Sequence, residues 1–249
     1  MTFPVGNSGA VAARRISYAA LTACGGVREA NQDAFVVCGL VGVGDLTCLD
    51  GDVMASPSGA RVFAVVDGMG GHRGGEDAAV LVAAELARSD GAALPESFDS
   101  FLEGVSAKVH RAGLGLQTPG MGAAMALLAV TSRQVIVVNV GDCRAYKLAD
   151  GYLGQLSIDD RAPGGAVNVL TQSLGGEPRR LDAHALVDPV DGACRYLLCS
   201  DGIHGFVDPV DVKAALVNGR VPTDVVQRLS DLAERATQDN FTAVVLDVA

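Results

Sequence analysis

The chain has 249 residues, 49% of them hydrophobic and 19% charged, which is one domain's length with enough apolar material for a sizeable core and too little charge for a disordered chain. A balance of 29 acidic against 19 basic residues gives a formal charge of -10, a mean field that repels nucleic acid and anionic lipid. Six cysteines without a Cys-x-x-Cys spacing read as buried free thiols of a reducing compartment, and without a leader pattern or an apolar run of spanning length the expectation is a cytoplasmic protein that binds no nucleic acid and no membrane.

Residues 1–13, rich in Gly, Ala, Ser and Pro, predict a flexible start, and one patterned domain follows over 14–249. Segments 16–23 and 34–40 are strand candidates. Segment 39–59 reads as a hairpin or loop insertion, with Asp45, Asp50 and Asp52 as solvated turn residues. A β-branched run at 62–66 predicts a buried strand, and apolar residues at helical spacing predict helices over 76–88 and 98–112. Further strands are expected at 134–140, in a segment ending at Tyr146, at 195–199 and at 241–248. Helices are expected over 209–217 and 223–237, the latter on the stripe Val225, Leu229, Leu232 and Ala236. Two separated helix pairs, with strands around and between them, point to the α+β class: a four-layer α-β-β-α sandwich of two antiparallel sheets flanked by helices.

Aspartates mark the ends of these strands. Asp67-Gly68 follows Val65-Val66, Asp201-Gly202 follows Cys199-Ser200, Asp142 follows Val140-Gly141, and Asp239-Asn240 stands directly before the last strand. A carboxylate at a core margin is costly to desolvate unless it is paired, hydrogen-bonded or bound to a cation. The chain holds only three lysines and scattered arginines. If antiparallel pairing gathers the strand ends, the cluster calls for metal, and all-oxygen ligands suit Mg²⁺ or Mn²⁺ better than Zn²⁺. A lone Asp-Gly is ordinarily a turn, but four such sites at strand margins are a pattern.

The blocks Arg28-Glu29-Ala30-Asn31-Gln32-Asp33, Val65-Val66-Asp67-Gly68-Met69-Gly70-Gly71-His72, Gly120-Met121-Gly122, Asn139-Val140-Gly141-Asp142-Cys143-Arg144-Ala145-Tyr146, Leu170-Thr171-Gln172-Ser173-Leu174-Gly175, Cys199-Ser200-Asp201-Gly202 and Asp239-Asn240-Phe241-Thr242 span nearly the whole chain. In this order the sequence resembles the metal-dependent PP2C-type (PPM) protein serine/threonine phosphatases, particularly the compact bacterial members. The resemblance implies hydrolysis of phosphoserine and phosphothreonine by a water bridging two divalent cations, Mn²⁺ or Mg²⁺. It implies Asp67 as the bridging ligand, Gly68 as a carbonyl ligand, Asp201 and Asp239 on the first metal, Arg28 on the substrate phosphate and Asp33 orienting a metal-bound water. Its implied partners are a phosphorylated protein substrate and a cognate serine/threonine kinase.

The sequence also departs from that pattern. Asp142 matches a carboxylate of a third metal site, but Asp201-Gly202-Ile203-His204-Gly205 places glycine where many relatives have a second acid for that site, which argues against a third ion. Ala123-Ala124 replace the usual threonines. About two dozen residues separate Tyr146 from Leu170, where most bacterial relatives carry a longer flap, so a more open site is expected. His72 and His204 read as structural, Asn240 as a hydrogen-bonding residue, and His110 and His184 as solvated. Two other function classes compete: a catalytically weak or inactive phosphoprotein-binding module of the same fold, against which the intact Asp67, Asp201, Asp239 and Arg28 speak, and a nucleotide-binding protein, for which no phosphate-cradling loop is present.

Overall fold

The computed structural model of the chain describes residues 13–57, 59–70, 72–92, 97–162, 169–177, 180–190 and 192–249. Residues 1–12 of the expected flexible start, the side chain of His72 and the middle of the short flap, 163–168, lie outside the described residues. The first half comprises β1 (Arg14–Ala23), β2 (Asp33–Val37), β3 (Leu40–Gly42), β4 (Leu46–Ala55), β5 (Arg61–Met69), α1 (His72–Ala87), α2 (Phe98–Leu116), β6 (Gly122–Val130) and β7 (Gln134–Val140). The second half comprises β8 (Arg144–Ala149), β9 (Tyr152–Gln155), β10 (Leu174–Gly175), β11 (His184–Pro189), β12 (Cys194–Cys199), α3 (Asp201–His204), α4 (Pro209–Asn218), α5 (Pro222–Ala236) and β13 (Phe241–Val248).

The strands form two antiparallel sheets, one in the order β4-β1-β13-β12-β8-β9 and the other β11-β7-β6-β5-β2-β3, with β10 paired to β6. The central strands read as continuous apolar runs because both of their faces are buried. In β13 the period of two sends Val244 and Leu246 toward the other sheet, against Phe63, Val65 and Leu128, and sends Ala243 and Val245 outward onto the helices. Val225, Leu229, Val212 and Leu216 of α5 and α4 cover that outer face. On the opposite side Val82, Leu86, Leu102 and Val105 of α1 and α2 cover Val66 and Met125. The result is the expected four-layer α-β-β-α sandwich.

Several elements differ from the sequence reading. Segment 34–40 is a hairpin, because Cys38 and Gly39 both have positive φ, 50° and 80°, and form the two-residue turn that joins Val37 to Leu40. Residues 46–55 are not a loop: β4 pairs with β1 along its whole length, as an edge strand whose alternate residues, Asp50 and Asp52 among them, are exposed. Asp50 and Asp52 lie within that strand, and Arg15 and Ser17 bind Asp52. Segment 122–130 was not anticipated as a strand; its Ala and Leu content favours helix, yet all nine residues of β6 are buried in the middle of a sheet. On α5 the buried stripe runs through Ala233, with Ala236 exposed.

The cysteines are free; Cys143 and Cys199 are buried, whereas Cys48 is exposed. His110 and His184 are not simply solvated, since His110 Nδ1 lies 2.6 Å from Gly176 O and His184 Nε2 lies 2.9 Å from Asp160 Oδ1. Among the described residues no helix is long and apolar enough to cross a membrane.

Candidate metal centre

The antiparallel register gathers the aspartates. Asp33 at the start of β2 stands directly opposite Asp67 near the end of β5, and Asp67 stands opposite Ala124 of β6. Ala23, the last residue of β1, pairs with Phe241, which puts Asp239 and Asn240 beside the chain leaving β1. Cys199 of β12 pairs with Ala243, so Ser200 and Asp201 emerge at the same end. Asp142 sits where the chain crosses from β7 in one sheet to β8 in the other, a crossing turned by Gly141 at φ 88°. These ends open on a cavity of about 600 Å³ lined by Arg28, Asp67, Gly68, Asp142, Asp201 and Asp239 among others.

Both Asp-Gly pairs serve close approach and not a turn. Asp67 and Gly68 lie inside β5, and a Cβ on Gly68 would meet Gly75 O of α1 at 2.0 Å. A Cβ on Gly202 would meet Asn240 O at 1.9 Å. Glycine lets the first turn of α1 lie against β5, and α3 against the segment carrying Asp239, so the backbone that carries each aspartate is closely packed.

Behind the cavity runs an ordered chain of donors. Asn31 Nδ2 donates to Thr22 Oγ1 at 2.8 Å, the Thr22 and Thr242 hydroxyls meet at 2.7 Å, and Thr242 donates to Asp33 Oδ2 at 2.8 Å. Ser200 Oγ donates to the same oxygen at 2.7 Å. Asp33 is buried, and this fixes its rotamer. Asn240 ties the rim together: its Nδ2 donates to Cys24 O and to Ala30 O at 2.9 Å each, while its Oδ1 accepts from Gln32 N at 2.9 Å.

The electrostatics are those of a cluster short of positive charge. Burial pushes the Asp33 carboxyl up to about 7, with Asp201 and Asp239 adding to the rise and the Ser200 and Thr242 hydroxyls opposing it. Burial followed by the charges of Asp33, Asp201, Asp142 and Asp239 holds Asp67 well above the usual carboxylate range. Asp201 rises to about 6 through burial and the neighbouring Asp142 and Asp239. Two guanidinium groups offset part of this charge: Arg28 Nη2 donates to Asp239 Oδ2 at 2.6 Å, and Arg161 binds Asp142.

All-oxygen donors with surplus negative charge fit hard divalent cations of the Mg²⁺ or Mn²⁺ type. Among the described residues no three acidic, His or Cys side chains form a closed cage; Asp239 is paired with Arg28 and Asp142 with Arg161. Cations that keep several waters and take one or two carboxylates each need no such cage.

Arg28, Asp67, Gly68, Asp142, Asp201 and Asp239 are thus brought to one cavity, with Asp33 behind Asp67. Sequence reasoning missed Arg161, which meets Asp142 from 19 positions away, and the hydroxyl pair Ser200 and Thr242 around Asp33. The signal for the hydroxyls was available, as Ser200 directly precedes Asp201 and Thr242 stands in the same motif as Asp239. His204 is structural: its Nε2 donates to Asp142 O at 3.0 Å, and burial pushes its imidazole down to about 4, which keeps it neutral.

The profile of the Protein phosphatase 2C family matches residues 29–245. The serine/threonine protein phosphatase PstP of Mycobacterium tuberculosis is 34% identical over 214 residues, covering 77% of this chain and 41% of its own, so the chain spans about two fifths of the length of that relative. The serine/threonine phosphatase stp of Listeria monocytogenes is 25% identical over 224 residues, covering 80% of this chain and 88% of its own. Among solved structures, the catalytic domain of PstP in complex with two manganese ions superposes with a TM-score of 0.75 at 28% identity, covering 95% of this chain and 99% of that one.

Proposed function

The chain belongs to the protein phosphatase 2C family, and from that premise we propose that it hydrolyses phosphoserine and phosphothreonine in proteins, using two divalent cations, Mn²⁺ or Mg²⁺, held at the cavity by Asp67, Gly68, Asp201 and Asp239. The observation that carries this reading is the convergence of these residues from separate strand ends on one cavity that Arg28 also lines. When bound, such ions lower the pKa of water toward ~7 and neutralise charge on phosphoryl oxygens.

The chain's own residues supply the rest. Arg28, with its side chain 49% exposed on the rim, presents a planar fork of donors to the phosphate. Asp33, with Oδ2 occupied by Ser200 and Thr242, orients water beside Asp67 and acts as a positioning residue. Gly68 offers a main-chain carbonyl where a side chain cannot fit. The substrate is a phosphorylated protein, and a serine/threonine kinase is the enzyme class that must supply it.

Phosphate release from a phosphothreonine peptide, with Mn²⁺, with Mg²⁺ and with chelator, tests the reading in wild type and in Asp239→Asn. Metal-dependent release lost in the variant is expected. Folded wild-type protein that releases no phosphate under any of these conditions would favour the non-catalytic phosphoprotein-binding module.

A further inference from the structure

Three consecutive residues after β9 bind the loop that crosses between the sheets and the first residue of β8 beyond it. Asp159 accepts from Arg144 Nε at 3.1 Å and from Nη2 at 2.8 Å. Asp160 is only 6% exposed; its Oδ2 accepts from Gly141 N at 2.8 Å, and its Oδ1 meets Gln172 Nε2 at 3.0 Å and His184 Nε2 at 2.9 Å. Main-chain bonds Asp160 N to Gly141 O at 2.9 Å and Thr171 N to Asp160 O at 2.8 Å complete the anchor. So held, Arg161 donates from Nε to Asp142 Oδ2 at 3.0 Å, Nη2 binds the same oxygen, and Nη2 lies 3.7 Å from Asp201 Oδ2.

We propose that Arg161 is a built-in cation: its guanidinium takes the place between Asp142 and Asp201 that a further divalent ion would occupy, so the centre holds two ions and not three. This rests on the two-ion reading above. The guanidinium presents its charge on a rigid planar fork of donors. Its two bonds to one carboxylate are charge-assisted, and the Asp160 anchor has already ordered the backbone that carries it. A divalent ion entering between Asp142 and Asp201 would meet a fixed like charge at contact distance and would have to break both bonds.

The test is the number of Mn²⁺ ions bound per folded chain, measured by equilibrium dialysis with metal analysis, independently of turnover. Wild type and Arg161→Lys are expected to bind two, Arg161→Ala three, and Arg161→Ala combined with Asp142→Asn two again. Should the alanine variant fail to fold, Arg161→Gln, which keeps the reach and loses the charge, is expected to bind three. A count of two in the neutral variants, or of three in wild type, overturns the inference and leaves the two-ion reading intact in the first case. Wild type that binds no Mn²⁺ overturns both.

Discussion

The two rims of the cavity carry the same chemical pair in different settings. On one rim Arg28 meets Asp239, with the arginine side chain 49% exposed; on the other Arg161 meets Asp142, with the arginine side chain 27% exposed and the aspartate 7%. Arg28 belongs to the segment between β1 and β2, which is fastened through the amide of Asn240. Arg161 follows directly on Asp160, whose carboxylate and main chain are both committed to Gly141. The two proposed roles follow this difference in anchorage: the exposed arginine is the one free to exchange Asp239 for a phosphate, and the anchored one the one suited to serve as fixed charge.

The largest effect that would break this comparison is at the acid of the first rim. Asp239→Asn removes a proposed carboxylate ligand and leaves Arg28 without its anion, so phosphate release is expected to fall by about 10³-fold, measured as kcat/KM on a phosphothreonine peptide at saturating Mn²⁺. Next is the fastening of that rim: Asn240→Ala loses three hydrogen bonds to Cys24, Ala30 and Gln32 and should cost about 3 kcal/mol of stability, read from the urea midpoint at unchanged m-value. Arg28→Ala should lower kcat/KM by about 30-fold, mainly through KM, with Mn²⁺ stoichiometry unchanged; an effect confined to metal binding would give Arg28 the role assigned to Arg161. The smallest expected effect sharpens the rule from outside the site. The Arg15 and Asp52 pair is exposed on both sides and anchored by nothing at the cavity, so Asp52→Ala should leave the urea midpoint and the activity where they were.

How far these features were legible in the sequence follows the same division between local and long-range causes. Strands β7 and β13 were readable to the residue, because β-branched runs bounded by Gly or Asp carry their own signal. Strand β6 was not, since Gly122–Val130 is built of helix-favouring alanine and leucine and is made a strand by its neighbours on both sides. In β4 the Asp50-Gly51-Asp52 run imitates a turn, and only pairing with β1 shows it to be an edge strand. The proposed ligands Asp67, Asp201 and Asp239 could be found because each stands in a motif at a strand end. Arg161 could not, as its partners depend on where Asp160 is fastened, and Asp160 is fastened by Gly141, Gln172 and His184, three separate places in the chain. The short segment after β9 is expected to leave the site more open; its middle, 163–168, lies outside the described residues, and its described part is tied to Gly141, Asp142 and Arg144.

A crystal grown with Mn²⁺ and measured at the manganese absorption edge tests the central claim most directly. The account predicts two anomalous peaks in the cavity within ligand distance of the Asp67, Asp201 and Asp239 carboxylates, and no peak between Arg161 and Asp142. An ordered cavity without a peak beside Asp67 at saturating Mn²⁺ would contradict it.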